Sequence, residues 1–474
     1  MKTRLPLLRG TGHSNLDYID KLPVNYIAVI KDIKGDAGYL LTHDGVDQFA
    51  EVGGVARGGY FNERFQKHFR VSGESLEEIG TDGSVKVIGL IPGREPCQFF
   101  SSFNTQAILA DGRLFLYDNS SLEEVKDPDF GFAISGTWFR GVYVFTDGQN
   151  IFETKVTDEY AFEGLSYVTS EFSNDPTQAV AQTENNQVVA FNRTSTEWFY
   201  FNPNNPVGTS VLSAVQGKSV KVGICGPNCK AEMSGYYFCL GSRPNESNMF
   251  YVMASSGQIE KISTNHIDSL LENYTQSQLY NVYMETRVND GSKLLIAHLP
   301  DLTLVYNHSV GAKFGADSAW SIVKSGVNEG PWRCKFGVLD QRTGKWIYGD
   351  TKESKLGVLV SDKASQYGEP VESICYTPIN YLEGNVVLQS ITFQSIPGFS
   401  GEPIDVFYSF SDDGVVYGRE SSMKISSQHK YKRYVKARSN GLFKDLLAIK
   451  LRMTSHYKEA VSGLEAEYRH RGQS

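Results

Sequence analysis

The sequence has no apolar run approaching the ~20 residues that cross a bilayer, and its longest candidates, such as Leu446 to Ile449, are cut by charge. No membrane segment is expected, and the chain reads as soluble. A secretion signal is also missing: within Met1-Lys2-Thr3-Arg4-Leu5-Pro6-Leu7-Leu8-Arg9-Gly10, Arg9 breaks the apolar stretch after four residues, so synthesis in a cytoplasm is expected. Cysteine is scarce. Six residues (Cys97, Cys225, Cys229, Cys239, Cys334, Cys375) scattered over 474 exclude a disulfide framework and predict reduced, buried thiols. No phosphate-binding loop, HExxH, G-x-S-x-G or dinucleotide fingerprint occurs, and the nine histidines never fall at i, i+4, so no catalytic residue, cofactor or metal site is announced. Positive charge is not in excess either. With 46 Lys and Arg against 54 Asp and Glu the net charge is -8, and sequence-specific nucleic-acid binding is not expected.

What the chain does have is apolar residues at 40%, aromatics at 12%, and 45 glycines that punctuate it without low-complexity blocks. From about residue 54 a short apolar strand, a tight polar turn and a second strand recur. The pairs are 69–72 with 76–79, 107–110 with 114–117, 142–146 with 151–154, and 188–191 with 197–201. Three more follow with longer turns: 236–240 with 249–253, 294–299 with 302–306, and 335–339 with 345–349. Asp-Gly and Gly-Glu turns accept the positive φ of tight hairpins. The turn spacings of 38, 36, 46, 52, 56 and 42 residues suit the ~40–50 residues of a four-stranded propeller blade.

The fold class expected is therefore all-β: a propeller of about seven blades, six being the alternative count, followed by an antiparallel β-sandwich. Residues 1–50 are assigned to an N-terminal extension, with Tyr39-Leu40-Leu41 offered as the strand that closes the ring. Residues 51–365 form the propeller and 366–474 the sandwich. Ile267, Leu270, Leu271 and Tyr274 at helical spacing after Ser263, Thr264 and Asn265 predict a short helical insertion near 264–285. In the C-terminal part Leu447, Ile449, Leu451 and Met453 alternate with Ala448, Lys450, Arg452 and Thr454, as a half-buried strand requires.

Candidate chemistry is thin. Cys225-Gly226-Pro227-Asn228-Cys229 has one residue too many for a CxxC pair and reads as a turn with two free thiols. His298 reads as a satisfied strand residue. Ser409-Phe410-Ser411-Asp412-Asp413-Gly414 loosely resembles the Asp box of sialidase-type propellers but occurs once, outside the propeller, and reads as a polar turn. Charge is unevenly placed: residues 424–474 hold 12 Lys and Arg against 4 Asp and Glu, or +8, leaving -16 on the remainder. Within that segment Lys430, Lys432, Arg433 and Lys436 interleave with Tyr431 and Tyr434, which reads either as a solvated sheet face or as a docking surface for an acidic partner or a phosphate backbone.

Several stretches are collinear with a known family. They are Asp17-Tyr18-Ile19-Asp20 with Leu22-Pro23-Val24-Asn25, and Met284-Glu285-Thr286-Arg287 leading to Leu294-Leu295-Ile296, His298-Leu299-Pro300 and Leu304-Val305-Tyr306. Gly349-Asp350, Lys352-Glu353-Ser354, Ser365-Gln366-Tyr367 and Tyr417-Gly418-Arg419-Glu420 complete the set. In these the chain resembles the packaged-DNA stabilisation protein, or tail hub, of short-tailed Salmonella-type phages. That resemblance implies a non-enzymatic virion protein at the portal vertex, a ring of six copies contacting portal and adaptor proteins, the tail needle and tailspikes, and retaining the genome. The competing reading is a carbohydrate-cleaving or carbohydrate-binding propeller.

Overall fold

A computed structural model describes residues 2–7, 21–33, 36–289, 291–327, 330–377, 380–382, 384–395, 404–425, 435–438, 441–444 and 446–470. Seven four-stranded antiparallel sheets follow one another along the chain. Blades 1 to 6 span 56–90, 98–124, 135–169, 177–220, 230–261 and 283–323, and blade 7 combines strands within 334–360 with Gly45–Glu51. Each expected hairpin falls in its own blade. The first six join the second and third strands, as Ala107–Ala110 pairs with Leu114–Tyr117. The seventh joins first to second, since Cys334–Asp340 pairs with Lys345–Asp350. At Asp111-Gly112, a two-residue loop between paired Ala110 and Arg113, both residues have positive φ, 48° and 76°, which suits the twist of the flanking strands.

Blade strands bury both faces. Gln106–Ala110 and Val142–Thr146 are buried at every position, because each sheet is covered by a neighbouring blade on either side. The apolar core is accordingly divided among the seams between blades. One cluster joins blades 1 and 2 around Phe69 and Ile108, another blades 2 and 3 around Phe145 and Leu116, a third blades 3 and 4 around Phe139 and Val180. The largest runs through blades 4 to 6 into the sandwich and includes Trp198, Phe250, Trp320, Tyr26 and Leu451.

The sandwich has a seven-stranded and a five-stranded sheet. The first orders Tyr26–Ile33, Asp36–Thr42, Ala460–His470, Val386–Ser395 and Val435–Arg438, with Lys2–Pro6 also paired to Ala460–His470. The second orders Val371–Tyr376, Leu446–Ser455, Ile404–Ser411 and Ser421–Ile425. The expected alternation holds in Leu446–Ser455, where Leu447, Ile449, Leu451 and Met453 are at most 1% exposed.

The N-terminal extension expected over 1–50 divides in two. Tyr39-Leu40-Leu41 does not close the ring: it pairs with Tyr26–Ile33 and with Val461 and Ala460 of the sandwich. The closing strand is Gly45–Glu51, the outermost strand of blade 7, paired to Lys355–Val360. The propeller is thus inserted between two parts of one sandwich sheet.

Helices Asn265–Leu271 and Gln276–Tyr280 lie between blades 5 and 6, capped by Thr264 and by a Thr275–Gln278 capping box, with Ile267, Leu271 and Leu279 buried. A third helix, His308–Phe314, follows Asn307, whose side chain caps it. No helix among the described residues is long and apolar enough to cross a membrane.

Candidate functional site at the propeller and sandwich junction

The segment Pro23-Val24-Asn25 is stitched on both sides. Val24 exchanges backbone hydrogen bonds with Ile374 of the sandwich at 2.8 and 3.0 Å, while Asn25 N donates to Ile322 O of blade 6 at 2.7 Å and Ile322 N to Pro23 O at 2.8 Å. Asn25 is 1% exposed with φ 54°, a left-handed conformation that Asn tolerates better than most side chains. Its amide nitrogen donates to Glu372 O at 2.7 Å and its carbonyl accepts from Lys324 N at 2.9 Å, so one side chain bridges the two parts.

Beside it lies a buried polar network. Arg287 is 1% exposed and its Nη2 is 3.0 Å from His43 Nε2. Guanidinium only donates, so Nε2 accepts, the imidazole is neutral, and its Nδ1–H is left to donate to Asp44 O at 3.0 Å. Burial, reinforced by Arg287, depresses the His43 pKa to about 3. Burial alone would raise the Asp44 carboxyl, but Arg287 and Lys458, which forms a short ion pair with it, hold it below the usual range. Next to Lys458, Glu459 is 5% exposed with neither carboxyl oxygen hydrogen-bonded, and burial pushes its pKa up to about 8. Lys324 pairs with Glu372 at 2.7 Å, and Arg452 grips Glu420 at 2.6 and 3.1 Å.

The seam between blades 7 and 1 repeats the device. Fully buried Arg70 donates Nε to His68 Nε2 at 2.9 Å and Nη1 and Nη2 to Phe336 O and Ile347 O at 2.5 Å each. The neutral His68 thus turns Nδ1 toward Asp340 Oδ2, 3.4 Å away. Burial lowers His68 to about 4, against the pull of Asp340. Arg342 chelates Asp340 at 3.0 and 2.7 Å and reaches Ile79 O of blade 1 at 2.8 Å. Glu285 joins blades 6 and 7, accepting from His298 Nε2 at 2.8 Å and Gly337 N at 2.6 Å, so His298 is a satisfied strand residue as expected.

These junctions collect the motifs that resemble the phage family: Asn25, Glu285, Arg287, His298, Asp350 with Arg333 at 2.7 Å, Gln366 with Ser325 at 2.7 Å, and Glu420. Arg70, His68, His43 and Glu459 were not singled out from sequence. The available signal was a charge in a phase that a strand covered on both faces must bury, as in Lys67–Ser72.

Of the ribbon, Lys430, Lys432 and Arg433, with Tyr431 and Tyr434, lie outside the described residues. Lys436 is exposed on strand Val435–Arg438, its Nζ 2.7 Å from Glu467. All six cysteines are buried and free; Cys225 Sγ lies 3.1 Å from Asn248 Oδ1 and Cys229 Sγ 3.2 Å from Leu279 O. Burial raises the Cys225 thiol to about 11. Ser411 and Asp413 form a polar turn, Asp413 Oδ1 accepting from Val415 N and Val416 N at 2.7 and 2.8 Å.

The fold class is therefore a closed β-propeller joined to a β-sandwich through a shared core and buried charge. Comparison places it more narrowly: the chain belongs to the bacteriophage P22 Gp10 family, whose beta-propeller description matches residues 3–364 and whose beta-sandwich description matches 372–469. The tail hub protein gp10 of Salmonella phage P22 is 27% identical over 481 aligned residues, covering 98% of this chain and 98% of that protein. The chain is a phage tail structural protein, located in the virion.

The propeller match begins at residue 3, although the strands before residue 43 lie in the sandwich sheet. Among solved structures, virginiamycin B lyase from Staphylococcus aureus is 10% identical with a TM-score of 0.39, covering 76% of this chain and 99% of that one. The N-terminal domain of Nup159 is 8% identical with a TM-score of 0.42, covering 72% and 99%. Neither likeness bears on function.

Proposed function

We propose that this chain forms a ring, of six copies by the family resemblance, that joins the portal and adaptor proteins to the tail needle and tailspikes and keeps packaged DNA in the head. It acts without catalysis. The observation that carries the reading is the collinear similarity to a tail hub protein across 98% of both chains, with propeller and sandwich each matched. Two seams in which buried arginines hold neutral histidines are consistent with a part that must transmit load without deforming.

The basic ribbon Lys430, Lys432, Arg433 and Lys436 is the proposed docking surface toward acidic neighbours, steering assembly in a salt-dependent way. Particles assembled without this chain should lose their DNA, and particles carrying the four residues reversed to Glu should show impaired attachment of a folded hub. Full DNA retention without the chain overturns the hub reading. Normal attachment of the reversed protein at every salt concentration removes the ribbon from it.

A further inference from the structure

The innermost strands of blades 1 to 5 enclose an open cavity of about 1300 Å³ on the propeller. This exceeds the roughly 300–1,000 Å³ of a single small-molecule pocket and leaves room for an extended or oligomeric ligand. Its lining falls into two adjoining sectors.

Blades 1 to 3 contribute an aromatic sector. Tyr60 and Phe99 stack with centroids 6.3 Å apart and planes within 5°, and Phe103 meets Trp138 edge-on at 5.3 Å. Phe103 leaves 62% of its surface open at the loop after its strand, an unusual exposure for a large ring. The Trp138 indole N–H is shielded from bulk solvent yet has no hydrogen-bond partner.

Blades 4 and 5 contribute a polar sector built from Glu184, Lys230 and Glu232. Glycine at 235 makes room for it: a Cβ there would come within 2.2 Å of the Glu184 carboxyl carbon. The side chains of Glu184, Lys230 and Glu232 form no hydrogen bond or ion pair with other described residues. Burial depresses the Lys230 ammonium to about 8, and burial followed by Glu184 raises the Glu232 carboxyl. Glu184 and Glu232 are exposed and Lys230 is half-buried, so their free acceptors and donors face the open cavity.

We propose that this cavity binds a neutral oligosaccharide of hexopyranose units. A pyranose ring presents a C–H face that packs on aromatic rings and a rim of hydroxyls that both donate and accept. Acceptor-only carboxylates and a donor-only ammonium on the same wall of the cavity match such a rim. A phosphate chain would be opposed by Glu184 and Glu232, and a wholly apolar ligand would leave three polar groups desolvated. A basic peptide would gain little, because Lys230 and Arg64, whose guanidinium sits 5.8 Å from the Phe103 ring centroid, nearly balance Glu63, Glu184 and Glu232.

The full-length protein is probed on a printed array of neutral hexopyranose glycans of both anomeric linkages, with polyphosphate and tetra-lysine as competitors. The strongest glycan is then titrated calorimetrically. Phe103→Ser and Glu184→Gln, both at exposed positions, should each weaken binding about tenfold with unchanged melting, while Leu165→Ser on blade 3, outside the cavity, should not. Capture of no glycan, affinity unchanged from wild type in both variants, or displacement by tetra-lysine or polyphosphate overturns the proposal. Because the readout is glycan binding by isolated protein, its failure leaves the hub reading untouched.

Discussion

The seam between blades 7 and 1 and the core shared by blades 4 to 6 with the sandwich solve the same packing problem by opposite means. At the first, the buried apolar cluster comprises only Ala50, Ile79, Ile347 and Leu356, and Arg70, His68, Asp340 and Arg342 supply the remaining contact. At the second, apolar side chains from three blades and both sandwich sheets form one cluster. The seam that closes the ring joins strands from distant parts of the chain. Directional hydrogen bonds to Phe336 O and Ile347 O define a register there that non-directional apolar contact would leave open. The larger core has no such need and gains stability from buried area.

Breaking each side should show the difference. Trp320→Ala empties a side chain 2% exposed, packed on Tyr306 and Phe250 and bonded through Nε1 to Ile262 O at 2.8 Å. It should cost about 3–5 kcal/mol and lower one melting transition common to propeller and sandwich, by calorimetry. Arg70→Ala strands two carbonyls and His68 Nε2, and about 2–4 kcal/mol should be lost. Its signature in hydrogen exchange is selective opening of Gly45–Glu51, with blades 4 to 6 still protected. If protection falls uniformly, the seam is not a local closure.

Asn25→Ala sharpens the contrast at the junction. It removes both side-chain bridges and places a Cβ-bearing residue without local hydrogen bonding at φ 54°, costing roughly 1–3 kcal/mol. The expected outcome is separate melting of propeller and sandwich. A single transition shifted downward would mean that the shared core alone couples them.

Smaller effects depend on pH. The folded state holds Glu459 protonated up to about 8, above its unfolded value, so this group's contribution is complete at acid pH and is lost as pH rises through about 8. Glu459→Gln should therefore melt with wild type near pH 5 and above it near pH 9. His43 and His68 work in the other direction: their folded values of about 3 and 4 lie below the unfolded one, so stability falls as pH drops from about 6.5 toward 4. The smallest effect is expected for Lys436→Glu, which breaks a solvent-exposed pair with Glu467 and should leave melting unchanged.

Local signals in the sequence were sufficient for elements whose structure is set by neighbours in the chain. Asp111-Gly112 specifies its own turn, Thr264 and Thr275 cap their own helices, and the alternation from Leu447 to Met453 reports a strand with one covered face. Assignment of strands to sheets was not legible in the same way. Asp36–Thr42 and Gly45–Glu51 are similar short segments two residues apart, yet one enters the sandwich and the other the propeller. Nothing within either names the distant strand that fixes its sheet, Ala460–His470 for the one and Lys355–Val360 for the other, more than 300 residues away. The short helix His308–Phe314 was hidden by Gly311, which lowers helix propensity and is required because a Cβ there would strike the Tyr306 ring. The buried ion network was missed because single charges in apolar strands are ambiguous until the covering face is known.

The insertion of the ring between two parts of one sheet has a consequence for the chain as it leaves the ribosome. Strand Asp36–Thr42, next to its neighbour Tyr26–Ile33, emerges more than 400 residues before its other partner Ala460–His470. At about 5–20 residues per second the delay is roughly 20–80 s. During that interval the two segments can pair with each other, but the outer edge of Asp36–Thr42 has no native partner. Nor can Gly45–Glu51 be used until blade 7 appears. That open edge is therefore exposed to wrong pairings, including with other nascent chains, until Ala460–His470 appears.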